Sequence, residues 1–410
     1  LAVLAGLALL IPFGRSRTEL ATARRQTVES ILARHETEAR QRLAAWSARE
    51  PRSGEVEYHR AWLEVAFDHP AEALDAMRRA VSLGYPEEPV LVLRAVLLAR
   101  AGQFAEAEPV LARAMVAGTE PRAEVAEGLS RIYLKSFRLA ETIQALEVWM
   151  KVAPEDPRPY LRRNEVDERI NADPAVLIRN YREALRRDPT LIDARLGLAE
   201  KLRETSNFDE AEVEYAALLE RDPRNLRGLV GAGRVALLKG DLTAAAKAFE
   251  DAIAINPREK VALRELGLID LNGGRIPQAC ERLKAAVEAD PYDPEVRYSY
   301  ARTLKAAGQT ARAAEETAAT EQLKKEQEKM MELRQALVER PDDVDLRCRA
   351  ARWLIEHGHE KEGLEWTGLI LRQKPGHAAT CRLLAEYYGR KGDTGLANYY
   401  RLAETPGSAP

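Results

Sequence analysis

The chain is poor in the residues that anchor stapled or metal-dependent folds. Its three cysteines, Cys280, Cys348 and Cys381, lie far apart and form no C-x-x-C pair. That excludes a disulfide framework and a zinc knuckle from the expected architecture and leaves the redox compartment open. Aromatic residues reach only 6%, and no charge of one sign dominates: 62 basic and 65 acidic residues leave a net of −3. A polyanion is therefore not expected as the partner of the whole molecule, and no nucleic-acid partner is predicted.

Constellations that carry chemistry are missing as well. His357 and His359 in "EHGHE" are the only close histidine pair. They fall at a turn around Gly358, without the i, i+4 spacing and third ligand that zinc on a helix requires. Gly231 and Gly233 in "LVGAGRVALLKG" lie on a helix face and not at a strand-to-helix turn, so packing explains their small size. No catalytic, metal-binding or cofactor-binding residue is assigned, no cofactor is expected, and the chain reads as a non-enzyme. What is abundant is Ala, Leu, Glu and Arg, a helix-forming mixture.

The first residues, "LAVLAGLALLIPFG", are apolar without interruption from Leu1 to Phe13 and begin without Met. A spanning helix needs about 20 such residues. The preferred reading takes residues 1–14 as the distal part of a transmembrane helix in a fragment or processed form, with a signal remnant or a buried globular helix as the alternatives. It predicts a single-pass membrane protein whose orientation is open. Val28, Leu32, His35, Ala39, Leu43 and Trp46 recur at threes and fours, which predicts one juxtamembrane helix, a stalk, within residues 15–50.

Downstream, a period of 34 residues governs the sequence. Pro189, Pro223, Pro257 and Pro291 keep it, as do Pro341 and Pro375. With each proline at position 32, position 20 is Ala211, Ala245, Ala279, Ala313, Gly363 and Ala397. Position 8 is Ala199, Gly233, Gly267, Ala301, Ala351 and Ala385. Two antiparallel helices approach closely only where side chains are small, which accounts for both positions. Gly240, Gly274, Gly308, Gly358 and Gly392 stand where the first helix must end in a left-handed residue. Proline at 32 stops the second helix.

With Leu263, Leu266, Gly267, Ala279, Leu283, Ala286 and Pro291 in one unit, and Gly233, Ala245, Phe249, Ala252 and Pro257 in another, the pattern resembles the tetratricopeptide repeat. The resemblance implies an all-α fold, a right-handed superhelical solenoid of antiparallel helix pairs, about ten of them between Glu55 and Glu404. Residues 55–190 read as degenerate repeats, poorest in register from Arg122 to Asp188, and 191–308 as regular ones. Gly and Pro are absent from Gln309 to Arg340, so residues 309–340 are expected as one long helix extending the second helix of a repeat. Residues 341–404 are the final repeats and 405–410 a disordered tail.

The resemblance also implies a concave groove lined by first helices. Its positions map onto Arg227, Arg234, Arg264, Tyr298, Arg302, Lys305, Arg349, Arg352, Arg382 and Arg390, with Glu265, Glu295, Asp345, Glu356 and Glu386 among them. Nine basic residues against five acidic ones predict a mildly positive surface, suited to acidic segments of other proteins or peptides. The paired Asn and Lys of the family's carboxylate clamp are not found. The expected function is a membrane-anchored, non-catalytic scaffold. Its rivals are a helical-repeat nucleic-acid binder and the docking tail of an enzyme whose catalytic domain lies upstream.

Overall fold

The computed structural model describes residues 11–118, 120–136, 138–340 and 343–404. Among them are 22 helices and no strand, in two compact units that divide between Pro223 and Arg224. Unit 1 holds α1 (Ile11–Leu32), α2 (Glu36–Arg49), α3 (Gly54–Ala66), α4 (Pro70–Ser82), α5 (Glu87–Arg100), α6 (Phe104–Ala117), α7 (Arg122–Lys135), α8 (Leu139–Val152), α9 (Arg158–Arg169), α10 (Pro174–Arg187), α11 (Ile192–Glu204) and α12 (Phe208–Arg221). Unit 2 holds α13 (Leu226–Lys239), α14 (Leu242–Ile255), α15 (Lys260–Asn272), α16 (Ile276–Ala289), α17 (Pro294–Ala306), α18 (Thr310–Glu339), α19 (Val344–Glu356), α20 (Glu360–Gln373), α21 (Ala378–Arg390) and α22 (Thr394–Ala403). Each odd-numbered helix packs on the even-numbered helix after it, and successive hairpins stack within a unit.

The left-handed turn residue sets the register. Gly240 at φ 83° ends α13, and the amides of Gly240 and Asp241 reach back to the carbonyls of Leu237 and Ala236. Asp241 then caps α14 by accepting from the amide of Ala244 at 2.9 Å. The same left-handed place is taken upstream by Arg34, Asp68, Gly102, Asn171 and Ser206. Seven residues before and nine after it stand two buried residues: Gly233 with Phe249, Gly267 with Leu283, Ala95 with Leu111, Ala61 with Met77, Thr27 with Leu43. In α9 and α10 the two places are Asn164 and Asn180. Their side chains bond each other at 2.8 Å, and Asn180 also donates to Asp167 at 3.0 Å.

Two expectations at the N-terminus are corrected. The stalk is not one helix, because the chain reverses at Arg34 (φ 62°), and α1 and α2 form a hairpin of the same build as those that follow. The single-pass membrane location is overturned as well. No helix among the described residues is long and apolar enough to cross a bilayer. The 22 residues of α1 include Arg15, Arg17, Glu19, Arg24, Arg25 and Glu29, too many charges for a bilayer interior. Residues 1–10 of the apolar run, and the tail 405–410, lie outside the described residues.

In unit 2, α18 is a single helix of 30 residues, about 45 Å long. Its first half packs on α17 through Ala313, Tyr300 and Leu304. Its second half packs on α19 through Met330, Leu333, Leu346, Ala350 and Leu354. Between them Lys324, Lys325, Gln327, Glu328 and Lys329 are exposed.

Candidate functional site

The residues read as a groove sit on the first helices of the unit 2 hairpins: Arg227 and Arg234 on α13, Arg264 on α15, Tyr298, Arg302 and Lys305 on α17, Arg349 and Arg352 on α19, Arg382 on α21. Several are paired with glutamates of the same face. Arg264 donates to Glu265 and to Glu295 of the next first helix, each at 2.6 Å. Arg352 donates to Glu386 at 2.9 Å and lies 3.5 Å from Glu356, and Arg382 lies 3.7 Å from Glu404. Partial burial opposes the charges on Arg264 and Arg352, but the hydrogen bonds to Glu265 and Glu386 outweigh it, so both guanidiniums hold their protons more firmly than usual. Arg302, Lys305 and Arg349 are exposed. Tyr298 is 51% exposed, with the Lys324 ammonium 5.8 Å from its ring centre.

Two of the nine, Arg349 and Arg352, open onto one concavity. It is a cleft of about 440 Å³ between the second half of α18 and α19. Leu333, Ala336, Leu346 and Trp353 give it an apolar lining, and Lys329, Arg340, Arg349 and Arg352 face Glu332 and Glu356 around it. Four cations and two anions line it. Lys329, Arg340 and Arg352 are also paired with Glu326, Asp343 and Glu386 at its edge, at 3.1, 3.4 and 2.9 Å, which leaves Arg349, among the described residues, as the exposed cation of the lining outside such a pair. Asp343 fixes the start of α19 by accepting from the amides of Asp345 and Leu346 at 3.1 and 3.0 Å. Trp353 fixes the wall, since its indole N–H donates to the Glu326 carbonyl at 3.0 Å and ties α19 to α18.

His357 stacks on Trp353 with ring centres 4.1 Å apart, and its Nδ1 lies 2.8 Å from the Trp353 carbonyl. Its surroundings are those of a packed side chain. Among the described residues, no group of three or more His, Cys, Asp or Glu is arranged to hold a metal ion.

The structure does not bring Arg227, Arg234, Arg264, Tyr298, Arg302, Lys305 or Arg382 to this cleft. Conversely, sequence reasoning missed its α18 side, Lys329, Glu332, Leu333, Ala336 and Arg340, because α18 was given a shape and no surface. A signal was available: Met330, Leu333 and Leu337 resume threes-and-fours spacing directly after "KKEQEK".

Comparison with known proteins places the repeat pattern. A tetratricopeptide-repeat family model matches residues 196–259. Over 94 residues the chain is 31% identical to the probable UDP-N-acetylglucosamine–peptide N-acetylglucosaminyltransferase SPINDLY of Solanum lycopersicum, an alignment covering 23% of this chain and 10% of that protein. Over 207 residues it is 26% identical to the cellulose synthase 1 operon protein C of Komagataeibacter xylinus, covering 46% of this chain and 15% of that protein. The chain thus spans only 10% to 15% of the length of these curated relatives. Among solved structures it is similar to YrrB, described as a tetratricopeptide-repeat protein with an unusual peptide-binding site, at 20% identity and a TM-score of 0.39 over 46% of this chain and 96% of that one. The matched segment, together with the repeated helix hairpins, supports a tetratricopeptide-repeat assignment for this chain.

Proposed function

We propose that this chain is a helical-repeat scaffold that holds an acidic segment of a partner protein in the cleft between α18 and α19. The observation that carries the reading is the cleft itself, where four basic side chains surround an apolar lining that contains Trp353. Such a surface suits an extended peptide with acidic side chains beside an apolar one: the guanidinium forks match carboxylates, and the indole offers contact area. Arg349, exposed, and Arg352, shared with Glu386, are the main contacts. Tyr298 and Arg302 on α17 are proposed as a further anchor, with Arg227, Arg234, Arg264, Lys305 and Arg382 contributing a weaker field along the first helices.

The test is a fluorescence anisotropy titration of the full chain with a labelled twelve-residue peptide of alternating Glu and Leu. Arg349→Ala combined with Arg352→Ala weakens binding by about tenfold or more. Equal affinity in parent and variant overturns the assignment.

The alignment with SPINDLY favours a second reading, in which the repeats are the substrate-docking arm of a larger enzyme. Sugar transfer from UDP-N-acetylglucosamine by the natural full-length protein supports it, and its absence rejects that donor.

A further inference from the structure

Unit 1 contains a second concavity, built from residues that the groove reading leaves out. It measures about 570 Å³ and is lined by five arginines, Arg34, Arg100, Arg131, Arg158 and Arg162, beside Trp149. Arg34 is the left-handed residue between α1 and α2, Arg100 ends α5, Arg131 lies on α7, and Arg158 and Arg162 occupy the first turns of α9. Asp68, Glu127 and Glu165 share the lining, and Asp156 lies 2.7 Å from Arg158. With Asp156 included, guanidiniums outnumber carboxylates five to four.

The pairing is more uneven than the count. Glu127, almost wholly buried, accepts from Arg100 Nε at 3.1 Å and Nη2 at 2.6 Å, accepts from Arg158 at 3.3 Å, and lies 3.7 Å from Arg131. Burial pushes its carboxyl up, but Arg100 and Arg158 outweigh that and bring it down to about 2, so it is a fixed anion inside the cleft. Asp68 and Glu165 are exposed at the margin. Arg34 and Arg162 are without a carboxylate within 4.0 Å among the described residues. Arg34 donates to the Ala66 carbonyl and lies 4.7 Å over the Phe67 ring. The Nε groups of Arg131 and Arg162 are buried with no protein acceptor. Burial lowers the pKa of both Arg34 and Arg162, although a guanidinium remains charged at any ordinary pH. Enclosing a cation without its counter-charge is costly, and a planar guanidinium is matched in two-point fashion by an oxyanion.

We propose that this cleft is an oxyanion site that takes a phosphorylated or acidic side chain of a peptide. Arg34 and Arg162 supply the unmatched charge, Arg131 a further donor, and Arg100 and Arg158, held by Glu127, the fixed walls. The site is independent of the cleft between α18 and α19.

Isothermal titration calorimetry of the full chain with three pentapeptides, Gly-Gly-X-Gly-Gly with X as phosphoserine, aspartate or serine, tests it. The phosphoserine peptide binds and the serine peptide does not, while the aspartate peptide reports whether a carboxylate suffices. Arg162→Gln and Arg34→Gln each weaken binding by about tenfold, and Lys284→Gln, on the exposed face of α16 in unit 2, leaves it unchanged. Without peptide, Arg162→Gln raises the melting temperature, because it removes a partly buried cation that has no carboxylate within 4.0 Å among the described residues and whose main counter-charge, Glu165, is solvent-exposed. Failure of both charged peptides to bind, binding indifferent to Arg162→Gln, or a lowered melting temperature in that variant overturns the site.

Discussion

Gly267 is where the packing logic is most exposed to test. A Cβ at this position would stand 2.6 Å from Leu283 Cγ and 3.1 and 3.2 Å from its two methyls. The near atom is the branch point of a fully buried side chain, so Leu283 cannot swing aside. Overpacking of this kind costs about 1–3 kcal/mol, and the central contact puts the cost toward the upper end. Replacing Gly by Ala inside a helix returns about 0.8–1 kcal/mol. Gly267→Ala is therefore expected to destabilise by about 1–2 kcal/mol, measured by urea unfolding of the full chain. Leu283→Ala alone leaves a cavity and costs about 2–5 kcal/mol. In the double variant the new methyl enters that space, so its loss is smaller than the sum of the two by about 1 kcal/mol or more. A neutral or stabilising Gly267→Ala, or additive losses, would refute the claim that this residue is small because its partner helix lies against it.

Two further outcomes follow from unit 1. Ser206 holds a left-handed turn at φ 62°, a conformation costing a non-glycine residue about 1–2 kcal/mol; Ser206→Gly removes it, less the glycine's entropy, and raises the unfolding midpoint. Glu124 on α7 is pushed up to about 7 by burial, from an ordinary 4.5. A raised carboxyl contributes stability that is complete below pH 4.5 and lost as pH climbs through 7, about 3 kcal/mol in all. His59, drawn down to about 4 by burial, works in the opposite sense between its ordinary 6.5 and 4, so the two flatten the parent's profile. Glu124→Gln is expected to match the parent near pH 4.5, to exceed it increasingly up to pH 7–8, and to show a net rise over that interval in thermal melts.

The hairpins of unit 2 were legible because their constraints fall on residues with one reading. Glycine marks the left-handed turn at 240, 274, 308, 358 and 392, and Ala or Gly marks the close approach at 233, 267, 301, 351 and 385. Upstream the same places exist under other residues. Arg34, Asp68, Asn171 and Ser206 bend left-handed at some cost, and Asn164 with Asn180 replaces a small–large apolar pair by a hydrogen bond. A pattern of residue types cannot reveal these, because the backbone and the amide geometry do the selecting. For the same reason the hairpin at Arg34 read as a straight stalk. At the cleft, Arg349 and Arg352 were reached through the face of α19, whereas the α18 wall depends on which half of a long helix meets which neighbour. That is decided by tertiary packing of Met330 and Leu333 against Leu346 and Leu354. The pairing of Arg264 with Glu295 and of Arg352 with Glu386 was also hidden, since these glutamates lie 31 and 34 residues away, unlike the neighbouring Glu265 and Glu356.

The central functional claim is that the wall between α18 and α19 receives an acidic segment. Hydrogen–deuterium exchange of the full chain, with and without a saturating Glu/Leu peptide, tests it most directly. The amides of 326–340 and 344–356 are expected to exchange more slowly when the peptide is bound, and those of α12, α14 and α16, which line neither cleft, to keep their rates. Slowing confined to other helices, with 326–356 unchanged, would contradict the account.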